Sequence, residues 1–101
     1  MNLGKAISLC RKQRALTQVE LAARAKLSVS YLSLLEQNKR RDPSLSTVQK
    51  LAEALRVPFG ILFFLAADQT ELSGLEPDLQ QRLAHAALNL LNDPEPTKTL
   101  L

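Results

Sequence analysis

The chain has one cysteine, Cys10, no tryptophan, one tyrosine and only three glycines in 101 residues. A single thiol cannot close an internal disulfide, so nothing points to an oxidising compartment. Scarce glycine and aromatics, beside abundant Leu and Ala, argue against a sandwich or barrel and for helices. Long apolar runs are missing too. The longest, Phe59 to Ala67, is nine residues interrupted by Gly60, less than half of the ~20 that a spanning helix needs. The first twenty residues hold no uninterrupted apolar segment of the secretory kind. These absences lead us to expect a cytoplasmic protein that does not engage a membrane.

Catalytic chemistry is equally sparse. His85 has no His, Cys or carboxylate at metal-ligand spacing and reads as a surface residue. Cys10 falls on an apolar helical position with no neighbouring His to activate it, which predicts a buried, inert thiol. No glycine-rich phosphate loop and no G-x-S-x-G motif occurs. The expectation is a non-enzyme with no catalytic residue, no metal and no cofactor.

Charge is present and unevenly placed. Residues 1–66 carry eleven Lys/Arg against four Asp/Glu, whereas residues 67–101 carry two against six. A basic body with an acidic end suggests that only the first part meets a polyanion, although a solvated helical surface can carry the same excess.

Helical punctuation accounts for most of the remainder. Leu3, Ile7 and Cys10 mark one face of a first helix, from about Leu3 to Arg14. Thr17 with Glu20 three residues later is a capping box, which starts a second helix whose apolar positions are Val19, Leu21, Ala22 and Ala25. Ser28 caps a third helix with Leu32 and Leu35 on its inner stripe, and Asn38 suits the left-handed turn that ends it. Ser44 caps a fourth helix with Leu45, Val48, Leu51, Ala52 and Leu55 inside. Pro58 fits the first turn of a fifth, from Phe59 to about Ala66. Asp68 to Gly74 reads as a turn, Pro77 to about Leu91 as a sixth helix, and the proline-containing tail as frayed. The fold class is therefore all-α: a compact five-helix domain over residues 1–67, followed by a linker, a C-terminal helix and a tail over residues 68–101.

The second and third helices are separated only by Lys26 to Ser28, so they must turn sharply and share a small core. Counting Gln18 as the first of twenty positions, Leu21, Ala22, Ala25, Leu27, Leu32 and Leu35 occupy the fourth, fifth, eighth, tenth, fifteenth and eighteenth. With the T-Q-V-E-L-A opening at Thr17 and the flanking stretches ISLCRKQR and LSTVQKLAEALRVP, this resembles the Cro/cI-like (XRE) helix-turn-helix regulators over about Leu3 to Ala66. The resemblance implies a sequence-specific DNA-binding regulator, read here as a repressor, with the third helix in the major groove of a palindromic operator. It places Ser28, Val29, Ser30 and Ser33 on the base-reading edge. Gln18 opens the second helix, where similar proteins use Gln for the DNA backbone and sometimes for a base edge. Phosphate contacts are implied for Thr17, Arg11, Arg14, Lys39, Arg40 and Arg41, with pairing to an acid such as Glu36 as the alternative for Arg11.

Two departures stand out. Many relatives have glycine where this chain has Lys26, Asn38 and Arg56. The reading positions often filled by Arg or Gln are here Val29 and Leu34. Base readout by bidentate side chains is therefore thin, and thymine-methyl contact with DNA shape is expected to carry preference. A homodimer is expected, joined through Ile61, Phe64, Leu65, Leu79, Leu83, Ala86 and Leu90, because the fifth helix is apolar nearly all round and the sixth has two apolar stripes. In the alternative, the sixth helix folds back and buries both stripes. A second reading is an antitoxin-type protein that binds operator DNA and also a toxin or other protein through its acidic C-terminal segment.

Overall fold

The computed structural model describes residues 1–40 and 42–92. The expected phosphate contact at Arg41 and the expected fraying of the last nine residues lie outside the described residues. The described chain is helical, in the order α1 Leu3–Gln13, α2 Gln18–Ala25, α3 Val29–Glu36, α4 Leu45–Leu55, α5 Phe59–Ala66, α6 Gln69–Leu72 and α7 Pro77–Asn92, with no strand among the described residues.

Helices α1, α2, α3, α4 and α6 each start at a side chain that accepts from the first turn. Thr17 Oγ1 accepts from the Glu20 amide at 3.0 Å while Glu20 Oε1 accepts from the Thr17 amide at 2.9 Å, the reciprocal box read from the sequence. Ser28 Oγ accepts from Tyr31 N at 3.0 Å and Ser44 Oγ from Thr47 N at 3.2 Å. Caps of this kind contribute about 1 kcal/mol each. A second capping box, Asp68 with Glu71, opens the short α6 within the stretch expected as a turn.

The ends of α1 to α4 share one device. Ala15, Lys26, Asn38 and Arg56 all lie in the left-handed region, with φ of 56°, 57°, 61° and 56°. After each, the next amide reaches back five residues: Leu16 to Arg11 O (3.0 Å), Leu27 to Ala22 O (2.9 Å), Lys39 to Leu34 O (2.9 Å) and Val57 to Ala52 O (3.0 Å). This is the Schellman pattern, and at three of the four ends the following apolar residue drops onto the core. Leu16 and Val57 are buried and Leu27 is half-buried. The absence of glycine at Lys26, Asn38 and Arg56 has therefore not altered the turns; Ala15 repeats the same device.

The core is built from fully buried Ile7, Cys10, Leu21, Leu32, Leu35, Leu51, Leu55 and Leu62. Helix α1 crosses α3 closely at Gly4, where a Cβ would run into the Leu35 carbonyl oxygen. Two residues assigned to inner stripes point outward instead: Val19 is 63% exposed in the first turn of α2, and Leu45 is 61% exposed at the start of α4. A first-turn side chain precedes the stretch where the helix meets its neighbours, so periodicity alone overcounts there.

Helix α5 docks through buried Ile61, Leu62 and Ala66, with Phe59 half-buried against the same cluster. Ile61, expected at a dimer interface, is 7% exposed and belongs to the core. Helix α7 folds back onto α5 and α1, burying Ala87 and Leu91 in the same apolar cluster. Leu83, Ala86 and Leu90 flank that seam half-buried, while Leu79 and Leu88 are exposed. The return is held by Gln80, whose Nε2 donates to Leu72 O at 2.8 Å and Leu75 O at 2.9 Å, closing the end of α6. No helix among the described residues is long and apolar enough to cross a membrane.

Candidate nucleic-acid interface

Helices α2 and α3 pack on each other and on α4 and α1, which sets the pair on a common base. Small residues make the crossing possible: Ala22 and Ala25 are buried where longer side chains would hold the helices apart. With Leu32 and Leu35 facing inward, the opposite side of α3 faces solvent. Val29 is 40% exposed, Ser30 is exposed and Ser33 is half-exposed. Ser28 is exposed as well, but its hydroxyl already accepts from Tyr31 N. Ser33 Oγ accepts from Gln37 Nε2 at 2.8 Å, an i,i+4 pair visible in the sequence that adds an exposed amide, unanticipated, to the end of the reading edge.

The chain leaves α3 through Asn38 and presents Lys39 and Arg40, both exposed, with their amides turned back to the Leu34 carbonyl. At 1.5 Å per residue, these cations stand about 12 Å along α3 from Val29. Thr17 and Gln18 flank the same end, because Gln18 Nε2 donates to Glu36 Oε1 at 3.1 Å. The start of α2 thus stands beside the end of α3 that leads into the cationic turn.

Two expected phosphate ligands are drawn elsewhere. Arg11 holds Glu36 through Nε–Oε2 at 2.7 Å and Nη2–Oε1 at 2.9 Å, and donates through Nη1 to Leu16 O at 2.9 Å. Their side chains are only 13% and 6% exposed. The hydrogen bonds to Glu36 raise the Arg11 pKa above its ordinary value. Arg14 donates from Nε to Leu55 O at 3.0 Å and from Nη2 to Arg56 O at 2.9 Å. Both guanidinium groups therefore tie helices together: Arg11 joins α1 to α3, and Arg14 joins α1 to the end of α4. The reason is geometric, since Arg11 leaves the last turn of α1 and Arg14 is its C-cap, each beside acceptors of a neighbouring element.

Cys10 is buried, and desolvation pushes its thiol up to about 11. Among the described residues no three His, Cys, Asp or Glu side chains gather to hold a metal. His85 is exposed on α7.

The helix-turn-helix family profile matches residues 7–62. The chain is similar to the immunity repressor protein of Bacillus phage phi105, 49% identical over 57 residues, covering 56% of this chain and 39% of the relative. It is also similar to the HTH-type transcriptional repressor RghR of Bacillus subtilis, 35% identical over 65 residues, covering 64% and 48%. The HTH-type transcriptional regulator SinR of Bacillus licheniformis is 33% identical over 72 residues, covering 71% and 64%. The matches thus span about two fifths and one half of the two repressors. No solved structure matches. The profile covers the packed helices α2 to α4 together with most of α1 and the first half of α5, and on that ground the chain belongs to the Cro/cI-like (XRE) helix-turn-helix family of transcriptional regulators.

Proposed function

We propose that the protein is an intracellular repressor that binds a palindromic operator as a homodimer, with the N-terminal half of α3 in the major groove. The observation that carries this reading is the exposed Val29–Ser30 edge at the start of α3, with exposed Lys39 and Arg40 past its end and Gln18 tied to Glu36 in its last turn. Ser30 and Ser33 offer hydroxyls to base edges or phosphates, and Val29 offers a methyl-packing surface to thymine. Lys39 and Arg40, with Arg41 next in sequence, grip the backbone. The free N–H groups of the first turn of α2 at Gln18 suit a phosphate. Arg11 and Arg14 support the frame rather than the DNA.

Residues 1–67 supply the DNA-binding part, and residues 68–101 supply the pairing helix, which is completed by the outer face of α5. The pairing surface consists of Phe64, Leu65, Leu79, Leu83, Ala86 and Leu90. These half-buried or exposed apolar residues of α5 and α7 remain after Ala87 and Leu91 have filled the intramolecular seam. Two copies related by a twofold axis would read half-sites about one helical turn apart.

Selection from random duplexes tests the whole reading. The expected result is a twofold-symmetric site with half-sites about ten base pairs apart, enriched in thymine where Val29 packs. Recovery of no preferred sequence, or a monomer in sedimentation at micromolar concentration with operator present, would overturn it.

A further inference from the structure

Gln18 reaches outward from α2, yet one end of its side chain is tied to the frame. Glu36 at the end of α3 accepts from Gln18 Nε2 at 3.1 Å with the same Oε1 that accepts from Arg11 Nη2 at 2.9 Å. Glu36 Oε2 is taken by Arg11 Nε at 2.7 Å. The carboxylate is thus clamped from behind by a fork of two N–H groups and is 6% exposed. An ionised carboxylate only accepts, so the Gln18 amide must turn its nitrogen, not its oxygen, towards Glu36. Gln18 Oε1 and the second Nε2 proton have no partner in the protein among the described residues. No buried side-chain polar atom there is left unpartnered, so Gln18 Oε1 is open to solvent.

We propose that Glu36 is a positioning residue for DNA binding: clamped by Arg11, it fixes the face and direction of the Gln18 amide so that its remaining N–H meets a backbone phosphate. The inference rests on the DNA-binding reading above. Placement favours phosphate over a base edge, because the tie sets Gln18 at the end of α3 that leads into Lys39 and Arg40. The clamp serves a second purpose there. A lone carboxylate would repel an approaching phosphate, whereas Glu36 paired to Arg11 presents no net charge. A half-buried glutamine still gives up rotamer freedom on binding, and pre-ordering removes part of that cost.

The test is a double-mutant cycle on operator affinity, with active fraction measured by stoichiometric titration and folding by circular dichroism. Glu36→Ala leaves the half-buried Arg11 unpaired and can fail to fold. The variant carrying both Arg11→Met and Glu36→Met therefore removes the clamp without orphaning a charge. Gln18→Ala is expected to weaken all operator sequences alike, about tenfold. The Met pair should cost about the same in the parent, but less than about twofold in the Gln18→Ala background. Additive losses would overturn the positioning role, as would a Gln18→Ala loss confined to one base pair. A parent protein that shows no affinity for any duplex would instead sink the regulator reading itself, and the two failures are distinct.

Discussion

The guanidinium of Arg14 closes the end of the fourth helix: Nε donates to the Leu55 carbonyl at 3.0 Å, across forty-one positions of sequence, and Nη2 to the next carbonyl at 2.9 Å. Helix ends leave carbonyls without intrahelical partners, and a cation there also opposes the negative end of the helix dipole. Arg14→Ala should therefore act on folding, with a loss of about 1–2 kcal/mol for half-buried charged hydrogen bonds. Denaturant titration followed by circular dichroism measures it, the chain having no tryptophan. DNA affinity per folded molecule should stay within about twofold of the parent. A stable variant with a large affinity loss would return Arg14 to the phosphate role.

The left-handed ends make a second prediction, of opposite sign. A non-glycine residue in that conformation costs about 1–2 kcal/mol, and replacing it with glycine gives back about 0.4–1 kcal/mol through the unfolded chain. Ala15→Gly and Lys26→Gly, at φ 56° and 57°, should each stabilise by roughly 0.5–1 kcal/mol. Both side chains are exposed, so little packing is lost. Thermal unfolding should shift upward by a few degrees for each, on the order expected for a domain of this size. The reverse shift would mean that the ends are not built as described.

What was legible in the sequence follows from what is local. Thr17, Ser28 and Ser44 announce their helices because a capping oxygen needs only a partner three residues away. Leu21, Leu32, Leu35 and Leu51 were found by spacing, since a stripe facing the core repeats with the helix. Partnership across the fold was harder to see. Arg14 bonds a carbonyl on α4, and a carbonyl has no sequence signature. Gly4 looks like a helix-weakening residue until Leu35 is seen lying against it. Helix α5 is apolar all round, so periodicity could not choose between Phe59 and Ile61, and Ile61 went inside. The exposed serines of α3 were legible through family resemblance, while the tie between Gln18 and Glu36 depends on how two helix ends meet.

Acid should weaken the start of α2. The backbone amide of Thr17, first, and its hydroxyl hold the Glu20 carboxylate below its ordinary value of 4.5. A carboxylate with a lowered pKa contributes its stability fully above the unfolded value and loses it as pH falls through the folded one. The stability difference between the parent and Glu20→Gln should thus be present at pH 7 and shrink below about pH 4.5. Denaturation midpoints of the two proteins across that range provide the check, and a difference constant with pH would remove Glu20 ionisation from the account.

Cys10 should be inert until the chain unfolds. With the thiol near 11, only a minute thiolate fraction exists at pH 8, and the side chain is fully buried. A thiol reagent should label the native protein slowly, at a rate set by opening, and the denatured protein within seconds to minutes. Rapid labelling under native conditions would show that the α1 face is not packed against the core as found.

Backbone grip and base preference reside on different residues of the proposed interface, and they should separate under mutation. Lys39 and Arg40 are exposed cations past the end of α3, where a charge meets phosphate without regard to sequence. Lys39→Glu and Arg40→Glu should each weaken every operator variant by a similar factor. Each should also lower the slope of affinity against salt by roughly one, as one phosphate contact is lost. Ser30 lies on the outward edge near the start of α3, where a hydroxyl can meet a base. Ser30→Ala should leave the salt slope unchanged and alter the ranking of operators that differ at one position, by about 1 kcal/mol or more. Measuring affinity for a panel of single-base operator variants at several salt concentrations resolves both effects in one experiment. If the lysine variant changed the ranking, or the serine variant changed the slope, α3 would have to lie in the groove the other way round.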